Sequence, residues 1–160
     1  MLKGIYLFLI AVLVGIELSI GILVAPTIFY PQNIIGNEIL THFQSGQLMT
    51  NIFIKYNKFL IFVMFISFVV EIFNLKNKNE SFNLKFSNFM LAFIGFALAL
   101  AFVFYFTDYI LEAQSLGEEI TKTKTFAQYH LASEWCMKLM IFSQSILFFL
   151  KFYNYKRCIK

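Results

Sequence analysis

Four apolar runs, residues 4–29, 59–75, 86–107 and 135–153, leave this 160-residue chain little room to be anything but a set of membrane-crossing helices. A spanning helix needs ~20 predominantly apolar residues to cross a hydrocarbon layer of ~30 Å, and helices satisfy their own backbone groups there. The expected fold is therefore all-α, a four-transmembrane-helix bundle in which residues 1–160 form one integral membrane domain. Composition agrees. Hydrophobic residues make up 59% and charged residues 14%, with a mean hydropathy of +0.72, whereas soluble domains are about a quarter charged. The short connections leave no room for a separate catalytic module.

The net charge of +4 does not point to nucleic acid, because Lys and Arg gather at helix ends rather than on one soluble face. The termini and second loop hold Lys3, Lys76, Lys78, Lys85, Lys151, Lys156, Arg157 and Lys160. The other side holds Lys55, Lys58, Lys122, Lys124 and Lys138, together with Glu38, Asp108, Glu112, Glu118, Glu119 and Glu134. By the positive-inside rule both termini face the cytoplasm, N-in and C-in. The first run reads as a retained helix rather than a cleaved signal, since its apolar stretch of ~25 residues exceeds a signal core and Ala25-Pro26 offers no small-x-small cleavage site. Cys136 and Cys158 fall at opposite faces, so no disulfide joins them.

Pro26 and Pro31 bracket the outer end of the first helix, and Asn33 to Asn37 reads as a turn. From Glu38, apolar residues recur at helical spacing among polar ones, which predicts a surface helix that turns inward at a joint near Gly46. Asn74 to Lys85 reads as a plain polar tether. The connection from Asp108 to Glu134 has few breakers, so helices three and four extend past the bilayer as a hairpin. Small residues repeat every four positions at Ala11, Gly15 and Ser19 and at Ala97 and Ala101, beside Gly95 and Ala99. Such stripes predict close contact between helices one and three.

Glu17 is the most unusual residue, a carboxyl near the middle of a span, where a charge costs several kcal/mol and polar groups face the bundle interior. Ser143 and Gln144 lie at a similar depth on the fourth helix and offer it hydrogen bonds. The functional alternative is a proton or cation relay. Glu71, one turn from the inner end of helix two, is expected to reach water and Lys76.

A second constellation falls on the outer side: His42, Asp108 and Glu112 one turn apart, and His130 and Glu134 one turn apart. Imidazoles and carboxylates suit a divalent metal. They equally suit a polar network in which His130 hydrogen-bonds Asp108 and clamps helix three to helix four. Tyr105, Tyr109, Tyr129 and Trp135 fit an interfacial aromatic belt. A haem held by His42 and His130 is a third alternative, with an architectural likeness to small four-helix membrane proteins of haem and copper metabolism. No Gly-x-Ser-x-Gly, His-Glu-x-x-His or phosphate-loop pattern occurs.

The Gly21 to Phe29 ending of the first helix, the Ser45 to Leu48 segment leading to Tyr56, Asp108, and His130 with Ser133 together resemble the bacterial four-helix family called domain of unknown function 4149. That family is similar to eukaryotic transmembrane protein 205. The resemblance implies a multi-pass protein of the bacterial cytoplasmic (inner) membrane, with Pro26, Phe29, Gly46, Asp108 and His130 matching the family pattern. It also implies metal or export chemistry, loosely, through the eukaryotic relative. The expected role is non-enzymatic, either solute or metal handling or envelope support, against a haem- or metal-binding membrane redox enzyme. The lipid bilayer is the expected partner, with a homo-oligomer left open and nucleic acid excluded.

Overall fold

The computed structural model describes residues 2–36, 40–77 and 80–159, with Leu2 and residues 155–159 described by backbone alone. Glu38, Lys78, Lys160 and the Asn37 end of the expected turn lie outside the described residues. Four helices are long and apolar enough to cross a membrane: Lys3–Phe29, His42–Asn74, Phe82–Ser115 and Lys124–Asn154. They are called the first to fourth spans below. No strand occurs among the described residues.

Each span presents one inward seam whose buried positions step by three and four residues. The seam reads Tyr6, Ile10, Leu13, Glu17 and Ile20 on the first span, and Tyr56, Leu60, Val63, Ser67 and Glu71 on the second. On the third it is Asn88, Ala92, Gly95, Ala99 and Phe102, and on the fourth Ser133, Cys136, Met140, Ser143 and Leu147. A mean step near 3.5 residues keeps one face turned inward along nearly aligned helices. Successive spans pack side by side and the fourth closes against the first.

The first and third spans therefore sit diagonally, which corrects the expectation that they touch closely. Ala11, Gly15 and Ser19 are exposed on the side away from the seam, and a Cβ built at Gly15 meets nothing within 4 Å. The small residues that do admit a neighbour are Ala92, Gly95 and Ala99. A Cβ at Gly95 would stand 2.6 Å from Met64 Cε of the second span, and Ser143 Oγ donates to the nearby Leu91 carbonyl at 2.9 Å.

The second span is one unbroken helix from His42, so Gly46 is not a joint. A reciprocal cap starts it: Gln44 N–H donates to Thr41 Oγ1 at 3.2 Å, and Thr41 N–H donates to Gln44 Oε1 at 2.9 Å. The expected turn after Pro31 is a short helix, Gln32–Ile35, ended by Gly36 at φ +78°, a left-handed value that glycine takes without strain. The loop after the second span is pinned rather than slack, because Lys85 Nζ donates to the Leu75 and Asn77 carbonyls at 3.2 and 2.6 Å.

Two π-helical turns, Ile20–Val24 and Phe102–Thr107, interrupt the first and third spans. The first precedes Pro26, which has no N–H to continue the ladder. In the second, Thr107 Oγ1 donates to the Phe102 carbonyl five residues back at 2.9 Å. The extra residue per turn shifts the seam, so that Phe102, Phe106 and Ile110 all reach the same space. At the hairpin between the third and fourth spans, Lys122 bridges Glu118 and Glu119 at 3.1 Å each. Its hydrogen bonds to these carboxylates push the ammonium pKa above its usual range.

Candidate functional site

Both termini and the second loop share one end of the bundle; the opposite end is the distal end. A cavity of about 150 Å³ opens there. All four spans line it: Phe29 from the first, Phe43, Met49 and Phe53 from the second, Phe102 and Phe106 from the third, Phe126 and Met137 from the fourth. Phe53 and Phe102 meet edge to face, with centroids 5.5 Å apart, at its base.

Polar side chains share the lining with the aromatic ones, and most are already bonded. Gln114 Nε2 donates to Thr50 Oγ1 at 3.0 Å, and Thr50 Oγ1 donates to the Gly46 carbonyl at 2.9 Å. Asn57 Nδ2 donates to Thr107 Oγ1 at 3.0 Å. The Ser133 hydroxyl donates to the His130 backbone carbonyl at 2.7 Å rather than to an imidazole. His42 and His130 both line the cavity, each beside a phenyl ring: His42 lies 5.2 Å from Phe29, and His130 stacks on Phe126 at 6.1 Å.

The distal residues singled out from sequence are only partly brought together. His130 Nε2 lies 3.5 Å from Glu134 Oε1, with both side chains about half exposed, and Lys138 takes the other Glu134 oxygen at 3.4 Å. Asp108 and Glu112 are exposed and point away from the cavity lining. Among the described residues no three His, Cys, Asp or Glu side chains converge as a metal site would require. Two imidazoles and one rim carboxylate, without convergence, do not make a closed ligand set. The His130–Asp108 clamp is absent too. Aromatic rings join the third and fourth spans instead: Tyr109 stacks on Tyr129 at 4.0 Å, and Tyr105 OH donates to Tyr129 OH at 3.2 Å.

Beneath the cavity lies the Glu17 layer. Glu17 is 0% exposed, and Tyr56 OH donates to its Oε1, as does Gln144 Nε2 at 3.1 Å. Glu17 Oε2 and Gln144 Oε1 have no partner among the described residues. Ser143, named beside Gln144 from sequence, turns instead to Leu91. In the sequence Tyr56 is marked by the family pattern and by no motif of its own. Its seam position, one helical step from the polar Asn57, is the signal that marks it as inward-facing. The Tyr56 ring packs edge-on against Phe53 at 6.3 Å, linking this layer to the cavity base.

A third layer near the termini was not legible as such. Glu71 is wholly buried and pairs with Lys151 Nζ at 2.6 Å, not with Lys76. Tyr6 OH donates to its other oxygen at 3.0 Å and to or from Ser67 Oγ at 2.9 Å, and Asn74 adds a bond at 3.3 Å. Leu13, Leu60, Val63, Met64 and Leu147 pack between the Glu17 and Glu71 layers.

Four apolar helices around buried polar layers define the class, a multi-pass membrane protein. The model of the family described as domain of unknown function DUF4149 matches residues 8–119, and the chain belongs to that family. Glu17, Tyr56, Glu71 and Asp108 fall inside the match; His130, Gln144 and Lys151 fall beyond it. Neither the curated proteins nor the solved structures contain a match.

Proposed function

We propose that this protein is a non-enzymatic membrane protein that binds a small, predominantly apolar solute in the distal cavity. With the termini in the cytoplasm, as the Lys and Arg distribution implies, the cavity faces the outer side of a bacterial inner membrane. The observation that carries the reading is the cavity of about 150 Å³ to which all four spans contribute, with six phenylalanines, Phe29, Phe43, Phe53, Phe102, Phe106 and Phe126, in its lining. A cavity of about this size has room for one molecule near the size of benzene, and aromatic walls accept an apolar or weakly cationic body. The polar groups support binding over catalysis. Ser133 is turned to a backbone carbonyl, and buried Cys136 Sγ faces the Leu98 carbonyl at 3.5 Å, so neither is held against an imidazole as a nucleophile would be.

The rival, a haem- or metal-binding redox enzyme, has in its favour that His42 and His130 line one cavity. The donors do not converge, and a porphyrin is far larger than the space, which makes the solute reading the stronger. Saturation-transfer NMR with indole and with benzylamine, on protein in mild detergent, tests it. Ser133→Phe, which fills the cavity, is expected to weaken binding at least about tenfold, a change of about 1.4 kcal/mol. Leu139→Phe on the lipid side is expected to leave it unchanged. Equal binding by both variants means partition into detergent and refutes the site. Stoichiometric iron, copper or zinc lost on His130→Ala would establish the rival.

A further inference from the structure

The Glu17 layer holds a feature that solute binding does not use. Glu17 Oε1 receives two hydrogen bonds, from Tyr56 on the second span and Gln144 on the fourth, while Glu17 Oε2 and Gln144 Oε1 are buried acceptors with no donor among the described residues. Among the described residues no cation balances the carboxyl. Tyr56 is the titratable group that the second span turns to it, and Lys55 and Lys58 are exposed on other faces. The fourth span offers Gln144 at this depth and the Cys136 thiol about 12 Å further along. At this depth the third span's inward positions are Ala92, Gly95 and Ala99. Tyr6, on the first span itself, is committed to Ser67 and Glu71, and Lys151 to Glu71.

A bare carboxylate in such a place costs several kcal/mol, and each of the two buried acceptors without a donor costs a lost hydrogen bond. A proton on Glu17 Oε2 removes the charge and supplies a donor for Gln144 Oε1, completing an acid–amide pair with the existing Nε2–H···Oε1 bond. A hard metal cation would need about six oxygens, and two are bare here. We propose that Glu17, with Gln144 and Tyr56, is an occluded, reversible proton-binding site at the centre of the bundle. It goes beyond solute binding and stands or falls without it. The Tyr56 ring links the site to the cavity base through Phe53, with Ile20 and Met140 packed on the same side. The way to the termini is filled by Leu13, Leu60, Val63, Met64 and Leu147.

Infrared spectroscopy of the protein in vesicles tests this directly. A protonated-carboxyl C=O band that shifts in D₂O is expected at about pH 5 and is expected to fall as the pH is raised toward about 9. It should vanish in Glu17→Gln, which keeps the acid-form geometry, and survive in Glu71→Gln. A second readout needs no variant: dicyclohexylcarbodiimide, which reacts with protonated carboxyls in apolar surroundings, should label Glu17 more at low pH than at high pH and leave ion-paired Glu71 unlabelled, as mapped by mass spectrometry. No such band at about pH 5, a band unchanged at about pH 9, or a band lost in Glu71→Gln would overturn the proposal.

Discussion

The Glu71–Lys151 pair tests whether the layers near the termini are as dry as the structure makes them. Lys151 Nζ and Glu71 Oε2 are 2.6 Å apart, with the side chains 10% and 0% exposed. Lys151→Met leaves Glu71 buried with only the neutral donors Tyr6 and Asn74. Removing one member of a buried pair costs about 3–5 kcal/mol, because the other charge stays uncompensated. Glu71→Gln is milder. Lys151 lies at the end of its span and retains some exposure, so it can extend toward water, and the loss is that of charge-assisted hydrogen bonds, about 1–3 kcal/mol. The double variant leaves no stranded charge and should be more stable than Lys151→Met by about 2 kcal/mol, the difference between the two single costs. The assay is reversible unfolding in mixed micelles followed by far-UV circular dichroism, at low and high salt, since a buried pair is screened little. Lys138→Met, which breaks the half-exposed Glu134 pair, is the control and should cost about 0–1 kcal/mol. If Lys151→Met costs no more than that control, or Glu71→Gln fails to rescue it, the buried-pair reasoning is wrong.

Gly46→Ala should stabilise the protein by about 0.5–1 kcal/mol in the same assay, because the helix is continuous there and the new Cβ meets only Gln114 Nε2 at 3.5 Å; a marked loss would restore the joint at this position. Gly95→Leu should cost about 3 kcal/mol or more through its clash with Met64, while Gly15→Leu, facing lipid, should change stability by less than about 0.5 kcal/mol. Equal effects of the two would contradict the diagonal placement of the first and third spans. Asp108→Ala should likewise stay within about 0.5 kcal/mol, whereas Tyr129→Ala should cost at least about 1 kcal/mol by removing the stack on Tyr109. The reverse order would reinstate a polar clamp between the third and fourth spans.

The number of spans and the all-α class were determined by the sequence alone, because backbone satisfaction in lipid depends on chain composition and length and on nothing distant. The expense of a charge at mid-membrane likewise marks Glu17 as inward-facing. Stepping from Glu17 by three and four residues reaches Ile20, Leu13, Ile10 and Tyr6, the observed seam, so the inward face was also legible. The small-residue stripes pointed the wrong way because helices apolar all round carry no amphipathic mark of which face is buried. Only the tertiary structure decided who meets whom. The relative depth and rotation of the spans gave Glu17 to Tyr56 as well as Gln144, gave Glu71 to Lys151 eighty positions away rather than nearby Lys76, and left Asp108 at the surface. The distal cavity belongs to the same category. Its walls come from four helices and from a π turn that re-aims Phe102 and Phe106, and no single segment's periodicity encodes the space between them.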